Sequence, residues 1–312
     1  MTASGQRILV IKLGALGDFV LATGPFAAIR NAHSQARITL LTTAPFADLA
    51  ARSPYFDDVW VDERPGKFDI AGILRLRRKL RGGRFSRVYD LQTSDRSGLY
   101  FRLFPAFAKP EWSGIAAGCS HPHANPDRDR LHTIERQAEQ LAAAGIPSTP
   151  PPDLSWAEGE IGRFDLPAPP GRFALLIPGA APHRPAKRWP AANFMKIAGV
   201  LAARGVRPVV VGGPNDIALA QEIARGAGGL SLAGATSLGD LAALSRKAAG
   251  AIGNDTGPMH VAAICGCPAL VLFSSDSDPA LTAPRGPSVT VLQRPDLAEL
   301  SVATVAEALS LR

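Results

Sequence analysis

The sequence alternates short apolar runs with longer helix-period segments, and it does so twice, on either side of a proline-dense stretch. That alternation narrows the possible folds more than any other feature. In the first half, residues 8–13, 38–42, 59–61 and 87–91 read as strands, and 19–31 and 131–144 as helices. In the second half, strands are expected at 172–177, 207–211, 230–232, 250–253, 269–273 and 289–292. Helices are expected there at 191–204, 215–226, 238–248, 258–265 and 302–311. Most of the strand segments are predominantly apolar runs rather than alternating ones, as strands covered on both faces are. Strands separated by helices form βαβ units and hence parallel sheets.

Between the halves, residues 147–171 hold Pro147, Pro150, Pro151, Pro152, Pro167, Pro169 and Pro170. Proline has no amide hydrogen to give a helix interior or a central strand, so this stretch reads as a domain linker. With 312 residues, the chain is comfortable as two cores. The expectation is an α/β protein of two Rossmann-like domains, 1–165 and 171–312, whose parallel sheets face a central cleft. Ligands of such sheets bind beyond the carboxyl ends of the strands, where the strand order reverses.

Composition excludes several classes. Hydrophobic residues make up 46% and charged residues 20%, which suits a soluble globular protein. The 34 Lys and Arg exceed the 27 Asp and Glu, a surplus of +7 that favours an anionic partner without naming one. Only 6% of residues are aromatic and no nucleic-acid motif is present, so nucleic acid is not expected. Cys119, Cys265 and Cys267 have neither zinc-ligand spacing nor a disulfide pattern, and read as reduced thiols of a cytoplasmic protein. Residues 8–21 follow Arg7 as the apolar core of a leader would, but Lys12, Gly14, Gly17 and Asp18 interrupt them. No stretch has the uncharged length of a membrane span.

Three elements carry chemistry. The first is Gly253-Asn254-Asp255-Thr256-Gly257-Pro258-Met259-His260, where a buried strand ends at a polar turn and a helix begins at once. Asp255 or Thr256 can cap that helix, and Pro258 suits its first turn. The amides of Thr256, Gly257 and Met259, added to the helix dipole, offer a seat for phosphate. His260 in the first turn can add a donor or a charge. A capped helix that binds nothing is the alternative for so short a run.

The second is Ile177-Pro178-Gly179-Ala180 with Lys187-Arg188-Trp189-Pro190 after it. A strand enters a glycine turn, and a basic pair precedes the next helix. Lys187 there can reach a diphosphate and offset its charge as a bond to phosphate breaks. A solvated basic loop is the alternative.

The third is Lys12-Leu13-Gly14-Ala15-Leu16-Gly17-Asp18 at the end of the first strand. It is neither a dinucleotide fingerprint nor a Walker loop. Its carboxylate at a helix start can serve as a general base towards an attacking hydroxyl, or simply favour the first helical turn. Asp216 in Gly212-Gly213-Pro214-Asn215-Asp216 can hold a ribose diol or cap a helix. Arg96 follows another strand end. The basic run Arg75, Arg77, Arg78, Lys79, Arg81 and Arg84 is either a solvated helix face or a contact for an anionic membrane or phosphorylated lipid.

These elements together resemble the ADP-heptose:lipopolysaccharide heptosyltransferases, glycosyltransferase family 9. The likeness runs through 232–244, 251–263 and 266–273, through the Lys-Arg-Trp-Pro element, and through the Gly-x-x-Gly-Asp loop ending at Asp18. It is patchy from 46 to 170. The resemblance implies a GT-B fold and an inverting, metal-independent transfer of sugar, with ADP-heptose as donor and no other cofactor. It implies a donor site of Gly179, Lys187, Asp216, Asp255, Thr256, Gly257 and His260. The family usually has Glu where Asp216 stands, a longer side chain by one methylene. It implies Asp18 as the base, Lys187 as the cation at the leaving diphosphate, and Lys12, Gly17 and Arg96 at a lipid A–Kdo-type core acceptor. A monomer is expected, cytoplasmic and peripheral on the inner face of the inner membrane. Two other readings stay open: a sugar-nucleotide-binding protein without transferase activity, and a transferase of another nucleotide sugar. A nicotinamide-dependent dehydrogenase would need the fingerprint that the first βα turn lacks.

Overall fold

The computed structural model describes residues 5–66, 68–168 and 171–312. Pro169 and Pro170 of the expected linker lie outside them. The chain divides into two compact units, Met1–Pro152 and Asp153–Arg312.

The first unit is built on a six-stranded parallel sheet. Its strands are β1 (Arg7–Ile11), β2 (Arg37–Thr42), β3 (Asp58–Val61), β4 (Arg87–Asp90), β5 (Glu111–Gly114) and β6 (His121–Pro122), in the order β3-β2-β1-β4-β5-β6. Its helices are α1 (Leu16–Leu21), α2 (Thr23–Ala32), α3 (Ala44–Ala51), α4 (Ile70–Gly82), α5 (Asp95–Phe101) and α6 (Thr133–Ala143). Leu9, Ile11, Leu41, Leu80, Val88 and Trp112 form the centre of one apolar layer.

The second unit repeats the plan. Strands β7 (Arg172–Ile177), β8 (Val206–Val210), β9 (Leu230–Ser231), β10 (Gly250–Asn254), β11 (Ala269–Phe273) and β12 (Val289–Gln293) lie in the order β12-β11-β10-β7-β8-β9. Counted from the first strand of its own unit, that is the same order as in the first sheet. Helices α7 (Ala191–Ala203), α8 (Ile217–Arg225), α9 (Leu238–Lys247), α10 (Gly257–Ile264), α11 (Pro279–Thr282) and α12 (Val302–Ala308) accompany it. Trp189 and Phe194 meet edge to face, ring centroids 5.1 Å apart, within its core. Both sheets have the strand order of a dinucleotide-binding fold, which reverses between β1 and β4 and between β7 and β10.

Several expectations change. The single helix expected at 19–31 is two, broken at Ala22. Gly24 of α2 packs where a Cβ would sit 2.3 Å from the Pro150 carbonyl oxygen, so the proline stretch lies against this helix. The helix expected at 215–226 opens with a 3-10 turn, Pro214–Asp216, and that at 302–311 ends at Ala308. Strands β5 and β6 and helices α3 and α5 were not foreseen.

The expected boundary at 165 is also corrected. Residues from Asp153 onward belong to the second unit, and buried polar bonds hold them there. The Asp240 carboxylate accepts from the Glu160 amide (2.8 Å), from Arg163 (2.7 Å) and from the Ser237 amide and hydroxyl (2.8 Å each). Arg246 donates to the Leu154 carbonyl (3.1 Å) and to that of Ala157 (2.5 Å). Burial opposes ionisation of Asp240, but these bonds outweigh it and lower its pKa. Asp240→Ala should cost about 3 kcal/mol in denaturant unfolding. Limited proteolysis of that variant should cut first between 153 and 168; an unchanged cleavage pattern would remove this account of the boundary.

Candidate functional site

In the second unit the candidate site forms where β7 and β10 end side by side. Asn254 closes β10 and is fully buried. Its amide oxygen accepts from the Trp189 amide (3.0 Å), and its amide nitrogen donates to the Pro178 carbonyl (2.8 Å). One side chain thus ties both ends of the loop from β7 to α7. Sequence reasoning placed Asn254 in the motif without a role. The signal available was an asparagine at the end of a fully buried strand, where its amide must find partners.

The loop carries Lys187 in a 3-10 turn, Pro185–Lys187. The ammonium of Lys187 lies 2.5 Å from Asp255 Oδ2, and the two side chains are only 12% and 7% exposed. The two sequence elements therefore meet in one ion pair. Asp255 does not cap α10. Thr256 occupies the N-cap position, yet its side chain makes no cap bond. The Met259 amide is engaged by the Thr256 carbonyl (3.0 Å), which corrects the expectation that it faces a ligand and leaves the amides of Thr256 and Gly257 as candidates. His260 is buried in the first turns of α10.

Asp216 sits at the end of β8. Its carboxylate accepts from the Gly213 amide (3.0 Å). A Cβ on Gly179 would lie 2.7 Å from Asp216 Oδ2, and one on Gly212 2.8 Å from Asp216 Cβ, so only glycines at these strand ends admit the side chain. The structure brings Gly179 and Asp216 together, as it does Lys187 and Asp255.

In the first unit, a cavity of about 540 Å3 opens at the ends of β1 and β4, lined by Leu13, Gly14, Ala15, Thr43, Phe46, Arg64, Gln92, Ser94, Asp95 and Arg96. Gly14 has φ +129° and lies where a Cβ would be 2.9 Å from the Phe46 ring. Arg96 lines the cavity and donates to the Pro65 carbonyl (3.3 Å). Arg64, Phe46 and Gln92 are lining residues that sequence reasoning missed; nothing local marks them, since they come from three different connections.

Lys12 does not point into this space. It is 3% exposed, and its ammonium donates to the Leu91 carbonyl (3.1 Å). Burial lowers its pKa. The expected acceptor contact is thereby corrected to a support under the β4–α5 connection. Gln92 Oε1 accepts from the Leu13 amide (2.8 Å), and Asp90 Oδ1 accepts from the amides of Gln92 and Thr93 (3.1 Å each). Thr93 takes a left-handed φ of +45° in this turn. Gly17 is buried in α1, and Asp18, one residue on, is half-buried in its first turn.

Among the described residues, no group of three or more His, Cys, Asp or Glu could hold a metal ion. No described helix is long and apolar enough to cross a membrane.

The family model of glycosyltransferase family 9 (heptosyltransferase) matches residues 73–307. The chain belongs to that family, and it is a glycosyltransferase. It is 26% identical over 312 residues to lipopolysaccharide heptosyltransferase 2 of Escherichia coli K12, covering 92% of this chain and 88% of that protein. A family 9 glycosyltransferase of Veillonella parvula superposes with a TM-score of 0.83 at 23% identity, over 97% of this chain and 95% of the other. The Escherichia coli ADP-heptose lps heptosyltransferase II superposes at 0.81 with 24% identity, over 97% of each chain. The two Rossmann-like units are those of the GT-B glycosyltransferases.

The Asp90 carboxyl is fully buried, and burial pushes its pKa up to about 6. A carboxyl raised in the folded state stabilises that state below its ordinary pKa, and the contribution fades as pH rises through the folded value. In this glycosyltransferase, the thermal midpoint of Asp90→Asn should therefore gain on that of the wild type as pH climbs from about 4 to about 6. Parallel midpoints across that window would show that the carboxyl does not titrate there.

Proposed function

We propose that this glycosyltransferase moves heptose from ADP-heptose onto an inner-core sugar of lipopolysaccharide, with inversion at the anomeric carbon. The observation that carries the reading is the Lys187–Asp255 pair beside the start of α10, where the N-cap side chain leaves the helix end open. A cation held by a buried carboxylate, next to helix amides, suits a diphosphate whose charge grows as its bond to the sugar breaks. The relatives support the choice of donor and acceptor: one is named for ADP-heptose and another for lipopolysaccharide.

In this mechanism the acceptor hydroxyl oxygen attacks the anomeric carbon. The bond from that carbon to the phosphate oxygen breaks, and its electron pair leaves with ADP. The hydroxyl proton passes to Asp18, whose partial exposure leaves it accessible to an acceptor. Lys187, the amides of Thr256 and Gly257, and His260 hold the diphosphate. Asp216, in its glycine notch, takes the ribose diol. Arg96 and Arg64 bind anionic groups of a lipid A–Kdo-type core, and Lys12 acts through Leu91 by fixing the connection that carries Arg96. The protein works as a monomer at the inner face of the inner membrane, with no metal.

The test is release of ADP from ADP-heptose, measured with and without a truncated lipopolysaccharide core. Acceptor-dependent release is expected; none from ADP-heptose or any other nucleotide sugar would sink the transfer. Release from a different nucleotide sugar alone would keep the reaction and change the donor. Asp18→Asn should lower the rate by about 10²–10⁴-fold while ADP still binds. A variant that transfers normally would mean the base is elsewhere. Lys187→Ala should lower kcat by about 100-fold, the scale for losing one group that stabilises developing charge.

A further inference from the structure

Helix α4 buries Gly72, Leu76 and Leu80 and is capped by Asp69, whose carboxylate accepts from the Gly72 amide (2.8 Å). The opposite stripe runs through Ile70, Leu74, Arg77, Arg78 and Arg81, at the spacing of one helix face. Its beginning is apolar: Phe68, just ahead of the helix, is 97% exposed, Ile70 69% and Leu74 48%. Its end is cationic: Arg77, Arg78, Arg81 and Arg84 line a surface groove together with Leu74. Arg81 donates to the Leu103 carbonyl (2.8 Å), and the chain beyond Leu103 exposes a further ring, Phe107 (94%).

The helix itself has no carboxylate. Of its neighbours, Glu63 takes Arg75 at 3.6 Å, and the Lys79 ammonium lies over the Trp60 ring and donates to the Val61 carbonyl. Among the described residues, Arg77, Arg78 and Arg84 have no carboxylate within ion-pair distance. Single exposed apolar residues are ordinary on a protein surface. The exposed stripe thus presents apolar side chains at one end and uncompensated cations at the other, the two chemistries that a membrane interface offers partners for.

We propose that α4, with Phe68 ahead of it, is a docking surface for an anionic phospholipid bilayer. Phe68, Ile70 and Leu74 enter the boundary between headgroups and acyl chains, while Arg77, Arg78 and Arg84 meet lipid phosphates. Charge complementarity chooses this occupant: a bilayer supplies apolar depth and a plane of phosphates over the same helix length. The proposal names the surface for the membrane location given above but needs no part of the transfer mechanism.

Co-sedimentation tests it, with vesicles of phosphatidylcholine alone and of phosphatidylcholine mixed with phosphatidylglycerol. Wild type should bind the mixed vesicles, less so as salt rises, and should not bind the neutral ones. Combining R77Q, R78Q and R84Q should weaken that binding on the order of 100-fold. Phe68→Ser with Leu74→Ser should weaken it at least about tenfold. Both combinations should keep the wild-type thermal midpoint and ADP release with a delipidated, water-soluble core. The proposal is overturned if wild type ignores the mixed vesicles or if either combination binds as wild type does. Binding that requires lipopolysaccharide core on the vesicle would also overturn it, by assigning the face to acceptor recognition. Wild type that docks yet releases no ADP would count against the transfer reading alone.

Discussion

Parallel pairing is the constraint on which the rest depends. Every recorded strand pair in both sheets is parallel. Parallel neighbours cannot be joined by a tight turn, so each connection must cross over a sheet face and return. Beyond the central pair of strands, the connections leave in opposite directions and open a gap at the carboxyl ends. Leu13 to Ala15 with Gln92, Ser94, Asp95 and Arg96 border one such gap, and Gly179, Lys187 and Asp255 border the other. The chemistry stands where topology leaves room for it.

What fills those gaps is polar and partly or fully out of water, which is costly unless every group finds a partner. The partners are specific and lie far apart along the chain. Asn254 spends its amide on two backbone groups, Lys187 is matched by Asp255, and Lys12 is matched by the Leu91 carbonyl. Each match fixes the direction of a connection as well as lowering the cost of burial. The geometry of both sites thus follows from satisfying groups that cannot face water.

Much of this was legible from the chain. Apolar runs such as those of β1, β7 and β11 identify themselves, because strands covered on both faces need no alternation. The turn from Asn254 into α10 was legible because its residues are contiguous. The elements that escaped notice carry weak patterns: β5 is Glu-Trp-Ser-Gly, and β6 is two residues long. The break at Ala22 was marked by Gly24-Pro25, since Pro25 has no amide hydrogen for the Leu21 carbonyl, and the apolar pattern of 19–31 concealed it. The domain boundary was misjudged because proline density marks irregular backbone, not the unit to which that backbone binds; Asp240 and Arg246 decide that from far along the sequence. The cavity of the first unit was the least legible, since Phe46, Arg64 and Gln92 converge on it from separate connections. Lys12 looked available because its burial depends on a carbonyl 79 residues away.

The Asn254 side chain has a mechanical consequence. By holding the Pro178 carbonyl and the Trp189 amide together, it closes the segment between them into a ring. The entropy of closing that ring is met when the protein folds, so a ligand bound there would have only the interior of the ring left to order.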